Sequence, residues 1–564
     1  MSYPSLEQYN NAFQRHATLL ADAELKGGTL STTSFGLPLA ISGGFALTYT
    51  ITAGPKKYAV RCFHRKSNEL ERRYQSISKR LAALRSPYFL DFQFQPQGIR
   101  VDGGIYPIVK MAWAKGETLG EFLEDNCSNA VALGKLSDAL VAMAAMLEKE
   151  RIAHGDLQTG NLMVSGGGSS VQLIDYDGMY VDEIKDLGSA EAGHLNFQHP
   201  QRKSANPFGP TLDRFSLISL YVALKALRAD QSLWRTTNSE VDAILFRAND
   251  FADPRSSPVF ALLAANSALA ADAKNFAVVC MASIANAPSL ADFIAGRSIP
   301  QTTSAIAFNG TAANAPKLGY IGAYDVLSGS DYEQCLKHVG DKVEVIGRIV
   351  EVNLARIKGS NKPYIFVNFG NWRGQIFKAA IWPEGMVVLK NRPDKSWEGK
   401  WVSITGMMDP PYSKTTSRFS YTHLSINITA NGQMTLISEA EAQRRLAGPG
   451  VGSRVPIASN QDALARIKDQ AMPTRAAPAP RPSAPVPRYA APTPRPTSPP
   501  LTPNEAILAK IRATALQPMA GHQAPSAPPA GQPRYTQRPP MPSSPGSHQQ
   551  HEGFLSKLFK FLFK

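Results

Sequence analysis

The hydrophobic rhythm of the chain changes along its length. The early part carries short runs with strand-like alternation, FALTYTI, YAVRCF and YPIVKM. From about residue 117 the apolar positions fall at helical spacing, which predicts a sheet followed by a helical half. The stretch 299–317, IPQTTSAIAFNGTAANAPK, has no period and reads as a linker. Alternating runs then return in KVEVIGRIVEV, KPYIFVNF, QIFKAAIW, KWVSITG and YTHLSINI, predicting a second, strand-rich domain over 318–447. It closes in the helical SEAEAQRRLAG, with Gly448 as the stop signal.

Beyond that point periodicity ends. Of 42 prolines, 23 lie between Pro449 and Pro545, among Ala, Ser, Thr, Gln and Arg. Such a stretch buries too little apolar surface to offset its ordering entropy, so 448–552 is expected to be a disordered, basic tail. The resulting division is an N-terminal extension 1–29, a first domain 30–298, the linker 299–317, the second domain 318–447, the tail 448–552 and a terminal helix 553–564.

A length of 564 residues agrees with two or three domains plus linkers. Lys and Arg number 60 against 45 Asp and Glu, a net +15, which points to acidic partners such as phosphates, nucleic acid or anionic lipid. The excess is uneven, since residues 449–564 hold 14 Lys and Arg against four Asp and Glu. Cys62, Cys127, Cys280 and Cys335 are isolated, which disfavours a disulfide scaffold or a cysteine zinc site and suits a reducing compartment. The N-terminus has no secretory signal pattern, and no window reaches the roughly 20 apolar residues of a spanning helix. The expectation is a cytoplasmic protein, with a peripheral place at the inner membrane face left open.

The chemistry concentrates in His154-Gly155-Asp156-Leu157-Gln158-Thr159-Gly160-Asn161, followed by Asp175 in VQLIDYDG. Phosphoryl transfer needs divalent metal across the phosphates and a carboxylate beside the attacking hydroxyl. A D-x-x-x-x-N loop followed by an aspartate at a strand end supplies them, with Asp156 as base and Asn161 and Asp175 on Mg²⁺. The competing reading is a surface turn rich in Gly, Asp and Asn.

This constellation resembles the protein-kinase-like fold, in the HGDLxxGN form shared with small-molecule kinases. Ser42-Gly43-Gly44-Phe45-Ala46 resembles a glycine-rich strand turn over a nucleotide, and YAVRCF resembles strand three. YPIVKMAWAKGETLGEFL resembles the hinge, and Asp213 stands where kinases brace the catalytic loop. Together with RYQSIS, GHLNFQHPQR and SLW, these segments resemble a bacterial family known as protein kinase domain proteins. The resemblance covers 30–298 and implies ATP and Mg²⁺, with Gly43, Gly44, Arg61, Met111 and Trp113 at the nucleotide.

Several positions depart from the kinase pattern. The strand-three lysine is Arg61, and its helical glutamate partner falls at Ile77, leaving Glu69 or Glu71 to reach Arg61 instead. The loop lysine is Gln158. The glutamate closing the activation segment is Gln201, and its arginine partner is Ala287, so that contact is substituted on both sides. Asp177 replaces the glycine of a D-F-G triplet, either assisting a metal or capping a turn. His194 and His199 lie five apart without a third ligand nearby, which favours structural or peptide-docking roles over a metal.

The second domain reads as a small β-barrel of OB-like type. Tyr364, Phe366, Trp372, Phe377, Trp382, Arg348, Lys362, Arg373 and Lys378 are candidates for a nucleic-acid face. The opposing reading is that Tyr364 and Phe366 point into the core, and a balance of 14 basic to 11 acidic residues over 318–440 makes no basic stripe. In the tail, Leu464-Ala465-Arg466-Ile467-Lys468 and Leu508-Ala509-Lys510-Ile511-Arg512 read as a tandem docking motif or a coincidence of composition. In 553–564, Lys557, Lys560 and Lys564 share one helical face, suiting an anionic membrane surface or a hydrophobic groove on a partner.

The fold expected is α+β: a bilobal protein-kinase-like domain, a small OB-like barrel and a disordered Pro-rich tail. The function expected is ATP-dependent transfer to protein Ser/Thr. The alternatives are a nucleotide-binding pseudokinase scaffold and a nucleic-acid-responsive sensor using 318–447.

Overall fold

The computed structural model describes residues 3–32, 36–42, 46–63, 68–302, 306–308, 319–357, 361–415 and 419–448. Gly43 and Gly44, most of the linker 299–317, the tail repeats and the terminal helix 553–564 lie outside the described residues. The architecture is α+β.

Strands β1 (Thr29–Leu30), β2 (Ile41–Ser42), β3 (Ala46–Ala53), β4 (Lys56–Phe63), β5 (Phe92–Val101) and β6 (Gly104–Ala112) form one antiparallel sheet. Its order is β1-β3-β4-β6-β5, with β2 paired to β3. The β5–β6 turn is Asp102-Gly103, with φ of 47° and 81°, the two-residue loop whose twist suits a hairpin. Alternation along β4 separates two faces. Tyr58, Val60 and Cys62 meet Tyr9, Phe13, Leu20 and Leu25 from the N-terminal helices. Residues 3–29, expected to be an extension, thus belong to the core of this sheet. Ala59 and Phe63 face the other way, toward Tyr74, Ile77 and Leu81 of the helix Asn68–Leu84. Arg61 shares that second face.

The following half is helical, built on Ala130–Glu150, Arg214–Ala229 and Ala270–Met281. By length and composition the first of these is long and apolar enough to cross a membrane, against the sequence expectation. Leu133, Leu136, Leu140, Met143 and Leu147 place it in the large core. A small sheet of β7 (Glu117–Thr118), β8 (Leu162–Ser165) and β9 (Ser170–Leu173) carries the segments around the HGDLQTGN loop.

The last described region contains β10 (Asp325–Ser328), β11 (Lys342–Arg348), β12 (Glu351–Arg356), β13 (Pro363–Asn368), β14 (Gln375–Ile381), β15 (Trp401–Met407), β16 (Tyr412–Thr415), β17 (Ser420–Asn427) and β18 (Met434–Ile437). They form two sheets, β10-β11-β15-β18 and β12-β13-β14-β17-β16. The expected small OB-like β-barrel is not closed among the described residues; its strands form two sheets. The chain passes from one to the other where β11 breaks at 349–350, and no ladder joins β15 to β17 among the described residues. Only past the end of β15 does Asp409 N–H reach the Ser425 carbonyl, at 2.8 Å.

Val343, Val345, Ile365, Val367, Ile404 and Leu424 fill the space between. Phe377, expected among nucleic-acid-facing candidates, is buried in this core and is corrected to a packing residue. Tyr364 and Phe366 take the opposite face from Ile365 and Val367, so they are not core residues. They cluster with Trp382 at ring separations of 4.8 to 5.5 Å, and Lys378 Nζ sits 3.7 Å over Phe366.

Candidate active site

The helix Ala130–Glu150 ends on Arg151 in the left-handed conformation, turning the chain into the HGDLQTGN loop. Asp213 fastens the loop from below. Its buried carboxylate accepts the backbone N–H groups of His154 and, at 2.8 Å, Gly155. Burial pushes the Asp213 carboxyl up, while His154, the two N–H donors and Arg202 oppose that shift. The buried His154 ring donates from Nε2 to the Ile174 carbonyl at 2.8 Å, tying the loop to the strand end that carries Asp175. Gly155 has φ +81°, and a Cβ there would lie 2.2 Å from the Gly178 carbonyl oxygen. Only glycine lets the two segments approach this closely.

Asp156 is buried, and its carboxylate accepts hydrogen bonds on both oxygens. Oδ1 takes the His194 N–H at 2.8 Å, and Oδ2 takes Gln158 Nε2 at 2.8 Å and Asn161 Nδ2 at 3.0 Å. Asn161 Nδ2 also donates to the Asp156 carbonyl at 2.8 Å. Its amide nitrogen is thus committed to the loop, which fixes the direction of its oxygen. Asn161 Oδ1 is buried without a hydrogen-bond partner among the described residues. An orphaned buried carbonyl oxygen suits a hard cation, which takes oxygen ligands. With the Asp175 carboxylate it makes a donor set that fits Mg²⁺. Asp175 itself holds φ +64°, in the left-handed region that Asp tolerates better than most residues.

Arg61 lies against these groups. Its Nη1 and Nη2 meet the two Asp177 oxygens at 2.8 and 2.7 Å, and Nη1 meets Asp175 Oδ1 at 3.0 Å. Tyr74 Oη donates to Asp177 as well. Burial pushes the Asp177 carboxyl above the usual carboxylate range, against the pull of the Arg61 fork. The expected link to Glu69 or Glu71 is corrected, because Glu71 accepts from Tyr3 Oη and the ion pairs of Arg61 run to Asp175 and Asp177. Ile77 is fully buried.

The remaining candidates lie further out. Met111 is a buried core residue of β6. Trp113 carries Lys57 Nζ 3.8 Å over its ring and packs with Leu39 and Val388, the last from the region after the linker. Burial lowers the Lys57 ammonium to about 8. Gln201 Oε1 accepts the Ile284 N–H at 3.1 Å, and Arg214 Nη1 donates to the Ala287 carbonyl at 3.2 Å. A neutral contact and a different arginine occupy the place of the missing ion pair. His199 is buried against Phe215 and bonds the Val279 carbonyl, while His194 stacks edge-on against Tyr324. No cluster of three His, Cys, Asp or Glu among the described residues could hold a metal ion.

Sequence reasoning missed the pairing of Arg61 with Asp177. No local pattern signalled it, because the two residues stand 116 apart in sequence and meet only through the fold.

No protein-family model matches the chain, and neither does any curated protein. Among solved structures it is similar to the kinase PK-1 of the Cydia pomonella granulovirus. That likeness has 14% sequence identity and a TM-score of 0.28, covering 36% of this chain and 71% of the viral kinase.

Proposed function

We propose that the chain is an ATP- and Mg²⁺-dependent phosphotransferase of protein-kinase-like type, acting on protein Ser or Thr. The observation that carries this reading is the joint arrangement of Asp156, Asn161 and Asp175. One asparagine bonds the Asp156 carboxylate through its nitrogen and presents a buried, unpartnered oxygen on its other side. Mg²⁺ held by Asn161 and Asp175 would supply charge neutralisation for the phosphate oxygens. Asp156 orients the acceptor hydroxyl and receives its proton. A new bond forms between that oxygen and the γ-phosphorus as the γ-phosphorus–oxygen bond to the β-phosphate breaks, its electron pair leaving on ADP. Asp213, His154 and the His194 N–H hold Asp156 in place throughout.

A second reading, a nucleotide-binding scaffold without turnover, is favoured by the full engagement of Arg61 with Asp175 and Asp177. The deciding experiment follows γ-phosphate from radiolabelled ATP into protein, with and without Mg²⁺, for wild type and Asp175→Ala. Metal-dependent transfer lost in the variant supports the enzyme. Metal-dependent ATP binding without transfer in wild type supports the scaffold.

A further inference from the structure

We propose that Lys342, on the first residue of β11, is a phosphate-binding residue of this site, so that the region after the linker completes the cleft in cis. The inference rests on the phosphotransfer reading and names a residue that the kinase-like segment does not contain.

The placement follows from register and ring contacts. β10 and β11 run parallel with Asp325 opposite Val343, which sets the preceding residues, Tyr324 and Lys342, beside each other. Lys342 Nζ lies 4.6 Å from the centre of the Tyr324 ring. The same ring meets His194 edge-on at 5.6 Å, and the His194 N–H holds Asp156 Oδ1 at 2.8 Å. A short chain of contacts therefore runs from Lys342 to the proposed base.

The contact is anchored on both sides. Asn249 donates to the Gly319 carbonyl at 2.7 Å and accepts the Ile321 N–H at 2.9 Å, just before Tyr324. Lys390 pairs with Glu124 at 2.9 Å, and Asn431 Nδ2 reaches the same carboxylate at 2.9 Å.

Charge argues for a ligand. The charges of Asp242, Asp156 and Asp175 reach Lys342, while Arg61 is committed to Asp175 and Asp177 and Gln158 is neutral. A triphosphate entering such a site needs an added cation besides the metal. Lys342 is half-buried and faces Asp242, Asp156 and Asp175, all of which favour its charged form, yet burial wins and lowers its ammonium below the usual lysine range. Among the described residues no carboxylate lies within ion-pair distance of it. An incoming phosphate would therefore meet a cation that no close ion pair already holds.

The test uses the full chain and compares Mg·ATP with Mg·ADP binding by calorimetry, alongside γ-phosphate transfer. Wild type should prefer ATP. Lys342→Gln should lose tenfold or more of that preference and of the transfer rate, with a smaller change for ADP, and Lys342→Arg should retain most of both. A thermal melt establishes that each variant is folded. An unchanged ATP-over-ADP ratio in Lys342→Gln overturns the inference, as does a rise in binding or transfer, which would make the ammonium a plug. If Asp175→Ala abolishes transfer while Lys342→Gln does not, only the Lys342 assignment falls. If wild type binds no nucleotide, the phosphotransfer reading falls and takes this inference with it.

Discussion

Arg61 holds both carboxylate oxygens of Asp177, at 2.8 and 2.7 Å, and shares one nitrogen with Asp175 at 3.0 Å. The cation of β4 is thereby tied to the segment that carries the proposed metal ligand, and not to the helix Asn68–Leu84 behind it. That helix contributes Tyr74 as a neutral donor to the same Asp177. A guanidinium makes this arrangement feasible, because its planar fork can satisfy two oxygens while a third bond leaves from the same nitrogen.

Replacing Arg61 with Met should leave two neighbouring carboxylates without their counter-ion. Breaking a buried pair from one side costs about 3–5 kcal/mol, and Asp175 and Asp177 would repel each other as well. Urea unfolding of Arg61→Met should show a loss of that order. Arg61→Lys should lose less, since a point charge can still sit between the carboxylates but cannot grip both oxygens of Asp177. A stability equal to wild type in Arg61→Met would show that the cluster is not held by this residue.

Asp156→Ala and Asp175→Ala should each lower phosphotransfer by about 10²–10⁴-fold, the usual contribution of a positioned base, with metal ligands costing at least as much. Both are polar side chains outside the hydrophobic core cluster, so circular dichroism should remain that of wild type. Near-normal turnover in both variants would refute the site.

Much of this was legible in residue order. The HGDLQTGN loop, the strand-end Asp175 and the bracing Asp213 are local patterns, and local patterns survive reading in one dimension. The two faces of β4 follow from its period of two, and Ile365 and Val367 against Tyr364 and Phe366 follow in the same way once one face is known to be core. What could not be read depends on contacts between distant segments. Nothing near Arg61 in sequence marks Asp177 as its partner, 116 residues away. The N-terminal helices look like an extension because their apolar face is partnered by β3, β4, β5 and β6, all distant in sequence. Lys342 is one lysine among many on alternating strands, and only the packing of Tyr324 on His194 gives it a neighbourhood.

Gly155→Ala should be among the most damaging small substitutions in the chain. The residue has φ +81°, and the added methyl would stand 2.2 Å from a backbone oxygen that has no flexible side chain to yield. A left-handed alanine alone costs about 1–2 kcal/mol, before any steric overlap is relieved. Relief would part the HGDLQTGN loop from the DYDG segment, so transfer should fall at least as far as in Asp156→Ala, with a lowered melting temperature. Wild-type activity and melting in Gly155→Ala would rule out the close approach.

The last expectation concerns acid stability away from the site. Asp409 follows β15 and accepts Ser425 Oγ at 3.2 Å and Asn427 Nδ2 at 2.8 Å. Burial raises its carboxyl to about 6 from an ordinary 3.8, with the Ser425 bond pulling the other way. A carboxyl raised on folding keeps its proton in the folded state over a window where the unfolded chain has released it. Its contribution is therefore fully present below about pH 4 and is lost as pH rises through about 6. The loss above that window is at most about 3 kcal/mol, at about 1.4 kcal/mol for each tenfold, and less in proportion to the carboxylate's remaining contact with water. Asp409→Asn, which cannot ionise, should be more stable than wild type at pH 7.5 and nearly equal to it at pH 4. Urea midpoints at the two pH values measure the difference directly. A gain of the same size at both would mean that the substitution acts through packing, and that Asp409 is charged throughout.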